Sequence, residues 1–72
     1  MNIERLIKMA NDIGDFFNAE SDKEAASIGI RNHILRSWDP RMRREIIDYC
    51  EKDGSALHGI VKTAIDDLAR SS

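Results

Sequence analysis

The residues that could do chemistry here are few, and their spacing argues against catalysis. His33 and His58 are the only histidines, and neither stands near Cys50 or an acid at the spacing a metal site requires. Cys50, the one cysteine, falls in an apolar helical stripe and reads as a buried structural thiol rather than a nucleophile. Asp66 and Asp67 are neighbours, so on a helix they point different ways and form a solvated edge instead of an acid–base pair. Gly14, Gly29, Gly54 and Gly59 are scattered, with no phosphate-cradling loop among them. No catalytic, cofactor-binding or metal-ligating set is expected in this chain.

The remaining chemistry is recognition. Residues 31–44 hold Arg31, Arg36, Arg41, Arg43 and Arg44 against Asp39 alone, a local charge of +4 in a chain whose net charge is −2. The only Trp and the only Pro, Trp38 and Pro40, lie in the same stretch. Arginine and tryptophan are frequent anchors of protein interfaces. Simpler roles compete. Asp39–Arg43, Arg41–Glu45 and Arg44–Asp48 stand at i,i+4, where an exposed pair is worth only about 0.3–0.5 kcal/mol, and Trp38 could plug the end of a helical core. Arg43 falls inside or beside an apolar arc. Its guanidinium must either snorkel or meet an acceptor outside the domain.

These residues have to be positioned by a small framework. Seventy-two residues make one domain, spanning 1–72. A chain this short buries roughly 60% of the surface that its unfolded form exposes, too little to enclose a large cofactor unaided. One cysteine excludes an internal disulfide, which points to a reducing, cytoplasmic setting. No apolar run approaches the ~20 residues of a membrane span, and Met1–Arg5 lacks the apolar region of a signal peptide.

Breaks at 18–21, 37–39 and 53–56 divide the chain into four amphipathic segments, so the expected fold is all-α, a compact bundle of four short helices at about 2–18, 22–36, 40–52 and 56–70. In the first, Ile3, Leu6, Ile7, Ala10, Ile13, Gly14 and Phe17 share an arc, with Met9 and Phe16 just outside it. Gly14 in that stripe costs up to ~1 kcal/mol of helix propensity, a cost that close approach by another helix would explain. The second segment opens on Ser21-Asp22-Lys23-Glu24, a capping box with Ser21 as N-cap. It has two apolar sectors: Ala25, Ile28 and Leu35 form one, Ile30 and Ile34 the other. Such a helix is central in its bundle or lies between its own core and a partner. Asn32 points into the first sector and is expected as a hydrogen-bonded core residue. Asp39 and Pro40 start the third segment, whose inner stripe is Met42, Ile46, Tyr49 and Cys50, and Gly54 ends it in a left-handed conformation. Ser55 would cap the fourth, where Leu57, Ile60, Val61, Ala64, Ile65 and Leu68 share a face. The last few residues should fray.

Two stretches carry a family resemblance. Met9-Ala10-Asn11-Asp12-Ile13-Gly14-Asp15-Phe16-Phe17 fits a Met-Ala-Asn-x-Ile-Gly-x-Phe-Phe pattern, and Trp38-Asp39-Pro40-Arg41-Met42-Arg43 fits a Trp-Asp-Pro-Arg-Met-Arg pattern. In both, and in length, the chain resembles the delta subunit of NAD-dependent, molybdenum-containing formate dehydrogenases. It departs at Asp12, where the family often has Gln, and at Ser37, where an aromatic often precedes the Trp. The resemblance implies a non-catalytic accessory subunit of a cytoplasmic complex. That complex has an alpha subunit carrying the molybdenum cofactor and iron–sulfur clusters, and beta and gamma subunits carrying FMN, clusters and the NAD site. The delta chain itself would hold no cofactor and would dock on alpha.

The docking candidates are then Trp38, Arg41, Arg43 and Arg44, with Met9, Phe16 and Phe17 as apolar contact or core. A transient assembly factor that helps insert the molybdenum cofactor into alpha is the alternative. A small helical nucleic-acid-binding module is a third, disfavoured because Glu45, Asp48 and Glu51 would face the phosphates from the would-be recognition helix.

Overall fold

The computed structural model describes residues 2–71; Met1 and Ser72 lie outside the described residues. It contains four α-helices: α1 (Ile3–Phe17), α2 (Lys23–Ser37), α3 (Pro40–Lys52) and α4 (Gly59–Ser71). No strand occurs among the described residues. Helix α4 packs against the other three, most extensively against α2, and α1 also meets α2 and α3.

Local chemistry sets the helix ends. Asn2 caps α1 by accepting from the Glu4 amide at 2.8 Å. Asp39 caps α3 by accepting from the Met42 amide at 2.9 Å, with Pro40 supplying a preset φ at the first helical position. Gly54 takes φ +69° after α3, as the left-handed terminus requires.

Two starts differ from the expectation. Asp22, not Ser21, caps α2, accepting from the amides of Glu24 and Ala25. A carboxylate complements the positive helix end better than a hydroxyl does. Helix α4 begins at Gly59 rather than 56. His58 supplies the carbonyl that accepts from Val61 and Lys62, while the Ser55 hydroxyl donates to the Asp53 carboxylate. The delay lets Leu57 turn inward to 5% exposure from a loop instead of a helix. Helix α4 continues to Ser71, and the part of the expected fraying that concerns Ser72 lies outside the described residues.

The core is an apolar seam of Leu6 and Ala10 from α1, Ile30 and Ile34 from α2, Ile46 and Cys50 from α3, and Val61, Ala64, Ile65 and Leu68 from α4. Gly14 is where α1 meets α4. A Cβ there would stand 2.4 Å from Cγ2 of fully buried Val61, so no larger residue fits without separating the helices. The Ala25, Ile28 and Leu35 sector of α2 faces outward, with Ile28 39% exposed and Leu35 48%, so α2 is not a central helix. Asn32 is half-buried and accepts from the neighbouring Arg31 guanidinium, rather than entering the core.

Candidate functional site: the α2–α3 corner and the α1 aromatic edge

Helix α2 ends at Ser37 and α3 starts at Pro40, so Trp38 and Asp39 make the whole connection. Such a tight reversal needs the last carbonyls of α2 to find donors. Arg43 provides them. Its Nη1 donates to the Trp38 carbonyl and, at 3.3 Å, to the Leu35 carbonyl. The acceptor that its position on the helix demanded is thus inside the domain. A cation at a helix C-terminus is also favoured by the helix dipole. Trp38 is 4% exposed and belongs to the core cluster, and its amide closes the last turn of α2 onto Ile34. The Asp39 carboxylate is engaged as the α3 cap.

The other arginines divide cleanly. Arg31 pairs with Asp67 of α4 at 2.9 Å, and Asp67 also takes Arg70 at 3.1 Å. Arg36, Arg41 and Arg44 are exposed, and their side chains form no ion pair or hydrogen bond among the described residues. The Asp48 carboxylate, a candidate partner of Arg44, is taken instead by Lys52 at 3.0 Å. Beside Arg44 lies an open recess of about 280 Å³ lined by Pro40, Arg43, Arg44, Ile47 and Leu68.

The aromatic edge lies at the end of α1. The Phe17 ring packs against α2, with ring carbons 2.6–2.7 Å from where a Cβ on Gly29 would stand. Its ring is 6.2 Å from that of His33. Phe16 packs edge-on against Phe17 and is otherwise outside, at 77% exposure. Met9 is half-buried against the core. Of the seven candidate docking residues, the structure therefore turns Phe16, Arg41 and Arg44 outward. It packs Met9 and Phe17 partly against the core, buries Trp38, and engages Arg43 with backbone carbonyls.

Sequence reasoning missed Asn11. Its side chain reaches across to the loop before α4, donating to the Ala56 carbonyl at 2.9 Å and accepting from the His58 amide at 3.0 Å. Tyr49 secures the same loop by accepting from the Ala56 amide at 3.0 Å, and the His58 ring approaches Asp15 at 3.3 Å. A polar residue beside an apolar stripe was the available signal, but its partners lie 45 and 47 positions away.

Cys50 is buried, with its thiol 3.5 Å from an Asp66 carboxylate oxygen. Burial first, then the charge of Asp66 and the hydrogen bond to it, push the thiol up to about 11 from 9.0. It stays protonated and inert at neutral pH. No group of three or more His, Cys, Asp or Glu side chains among the described residues is placed to hold a metal ion. No helix among them is long and apolar enough to cross a membrane.

No curated protein and no solved structure matches the chain significantly. A family model does: that of the NADH-dependent formate dehydrogenase delta subunit, FdsD, matches residues 5–65. The matched span covers both motifs, the close approach at Gly14, the Asn11 clamp and the arginine corner. The chain belongs to the FdsD family of NADH-dependent formate dehydrogenase delta subunits.

Proposed function

We propose that this chain is a non-catalytic accessory subunit that docks on the molybdenum-bearing alpha subunit of a cytoplasmic formate dehydrogenase and stabilises the complex, with beta and gamma completing it. The observation that carries this reading is the division of the candidate residues. An internally capped corner presents Arg41 and Arg44 on α3, with Arg36 in the last turn of α2, while Phe16 stands exposed on α1, its ring packed edge-on against Phe17. Exposed arginines and an aromatic ring on rigid helices suit an interface, because little side-chain and backbone order has to be created on binding. Trp38 and Arg43 at the corner, and Met9 and Phe17 on α1, serve these outward residues from within by holding the backbone that carries them.

The titratable residues support a non-catalytic part. The single thiol is held protonated, and His33 and His58 are exposed, one against a phenyl ring and one against a carboxylate. In this reading the molybdenum cofactor, iron–sulfur clusters, FMN and NAD belong to the partner subunits. Affinity capture with the tagged chain from its native extract tests the proposal. The alpha subunit, identified by mass spectrometry, should be recovered with it, and the purified chain alone should not oxidise formate. Recovery of the chain without alpha, or formate turnover by the isolated chain, overturns the reading.

A further inference from the structure

The docking surface has a chemistry that the family assignment does not supply. Four arginines and one acid lie between residues 36 and 44, and the acid is committed to a helix cap. Arg43 is committed to carbonyls as well. Among the described residues three guanidinium groups remain without an acceptor, one in the last turn of α2 and two in the first turns of α3. The two-residue connection forces them to the same end of the bundle. They are not simply a solvated basic face, because the rest of the chain is acidic. Residues 31–44 carry +4 while the whole carries −2, so the other 58 residues carry −6. Elsewhere Lys8 is paired with Asp12, Lys52 with Asp48, and Arg31 and Arg70 with Asp67, and Lys23 is held by the Asn18 and Glu20 carbonyls; Arg5 and Lys62 form no ion pair among the described residues, but they stand singly in the sequence rather than in a cluster. The α2–α4 groove, with about 690 Å³ of open space, includes the Arg31–Asp67–Arg70 network in its lining. It therefore has far less unmet charge to offer than the corner.

The corner also has an apolar floor. The recess beside Arg44 is lined by Ile47 and Leu68 as well as Pro40, with Arg43 and Arg44 in its wall. An apolar hollow bordered by the unpaired Arg44 guanidinium, with Arg41 one turn earlier on α3 and Arg36 in the last turn of α2, fits an apolar side chain flanked by carboxylates. It does not fit a nucleic-acid backbone, which offers phosphates with nothing to fill the hollow.

Resting on the docking reading above, we infer that Arg36, Arg41 and Arg44 receive an acidic segment of the protein partner, and that an apolar side chain of that segment enters the Pro40–Ile47–Leu68 recess. Association is then steered by charge and weakened by salt.

The test measures binding of this chain to the formate dehydrogenase complex prepared without it, in about 50 and about 500 mM NaCl. It compares the natural chain with the triple variant Arg36→Glu/Arg41→Glu/Arg44→Glu and with the charge-preserving Arg36→Lys/Arg41→Lys/Arg44→Lys. These side chains are exposed and form no hydrogen bond or ion pair among the described residues, so both variants should keep the helical circular dichroism of the natural chain. Salt should weaken the natural chain by roughly tenfold or more. The glutamate variant should lose roughly a hundredfold or more at low salt, and the lysine variant should retain most of the affinity. If the natural chain binds but neither salt nor charge reversal changes its affinity by more than about threefold, the acidic partner is wrong and docking stands on another surface. If the natural chain does not bind at any salt, the docking reading itself fails, and this inference with it. A salt-sensitive complex with duplex DNA at micromolar protein, in place of binding to the enzyme, would assign the corner to nucleic acid and overturn the protein partner.

Discussion

The two motif regions, Met9–Phe17 on α1 and Trp38–Arg43 at the α2–α3 corner, both carry the family resemblance but are spent differently. Most of the first is consumed by shape. Ala10 is buried, Gly14 admits Val61, and Phe17 covers Gly29. The second is consumed largely by backbone hydrogen bonding. Asp39 opens α3, and Arg43 gathers the last carbonyls of α2. Each region leaves exposed residues without an ion pair or hydrogen bond of their own: Phe16 from the first, whose exposed acids pair with Lys8 and His58, and Arg41 from the second, with Arg44 following it on α3 and Arg36 preceding it on α2. A motif can therefore be mostly scaffold and still mark a docking surface, because the scaffold fixes where its few outward residues stand.

That division can be broken by substitution, and the inward residues should show the larger effects on stability. A domain of this size has roughly 4–11 kcal/mol to lose. Trp38→Ala should cost about 3–5 kcal/mol by opening a cavity at the end of the core, which chemical denaturation followed by circular dichroism would show as a large fall in midpoint. A loss under about 1 kcal/mol would mean that the indole does not plug the core. Gly14→Ala should cost about 1–3 kcal/mol through overpacking against Val61, although alanine is intrinsically the better helix former by ~1 kcal/mol. A gain in stability there would contradict the close approach of α1 and α4.

Polar contributions should be smaller or more local. Asn11→Ala removes one donor and one acceptor from the loop before α4 and should cost about 1–3 kcal/mol. Amide exchange at His58 should then accelerate more than exchange in the middle of α2, and uniform acceleration would show that Asn11 is not a local clamp. Cys50 adds a pH signature. Its folded-state value is raised above 9.0 to about 11, so the stability it contributes is fully present below about pH 9 and is lost as pH rises toward 11. Alkylation at pH 8 should be slow in the folded chain and fast in denaturant, and equal rates would place the thiol outside the core. The smallest effect on stability should come from the outward residues. Phe16→Ser and Arg44→Glu should each stay within about 0.5 kcal/mol of the natural chain while weakening capture of the alpha subunit.

Much of this was legible in the sequence, for identifiable reasons. Ile30, Ile34, Val61 and Leu68 repeat at helical spacing, and Asp39-Pro40 is a strong local start signal, so the four helices and the limits of α3 follow from neighbours in the chain. The start of α4 was not legible, because Asn11 holds the loop from 45 positions away, Tyr49 adds a bond from the preceding helix, and Leu57 is buried without being helical. Arg43 shows the same limit from the other side. Its place in the apolar arc announced a need for an acceptor, but periodicity could not reveal that the end of α2 lies within reach. The outward turn of Ile28 and Leu35 was likewise undecided, since both sectors of α2 are equally apolar in composition.

The stoichiometry of this chain in purified, catalytically active formate dehydrogenase, measured by native mass spectrometry, tests the central claim most directly. A stabilising subunit docked on alpha should be present at one copy per alpha subunit and should leave the complex when Phe16, Arg41 and Arg44 are substituted together. A fully active complex that never retains the chain through purification would contradict the account and identify the protein as a transient assembly factor.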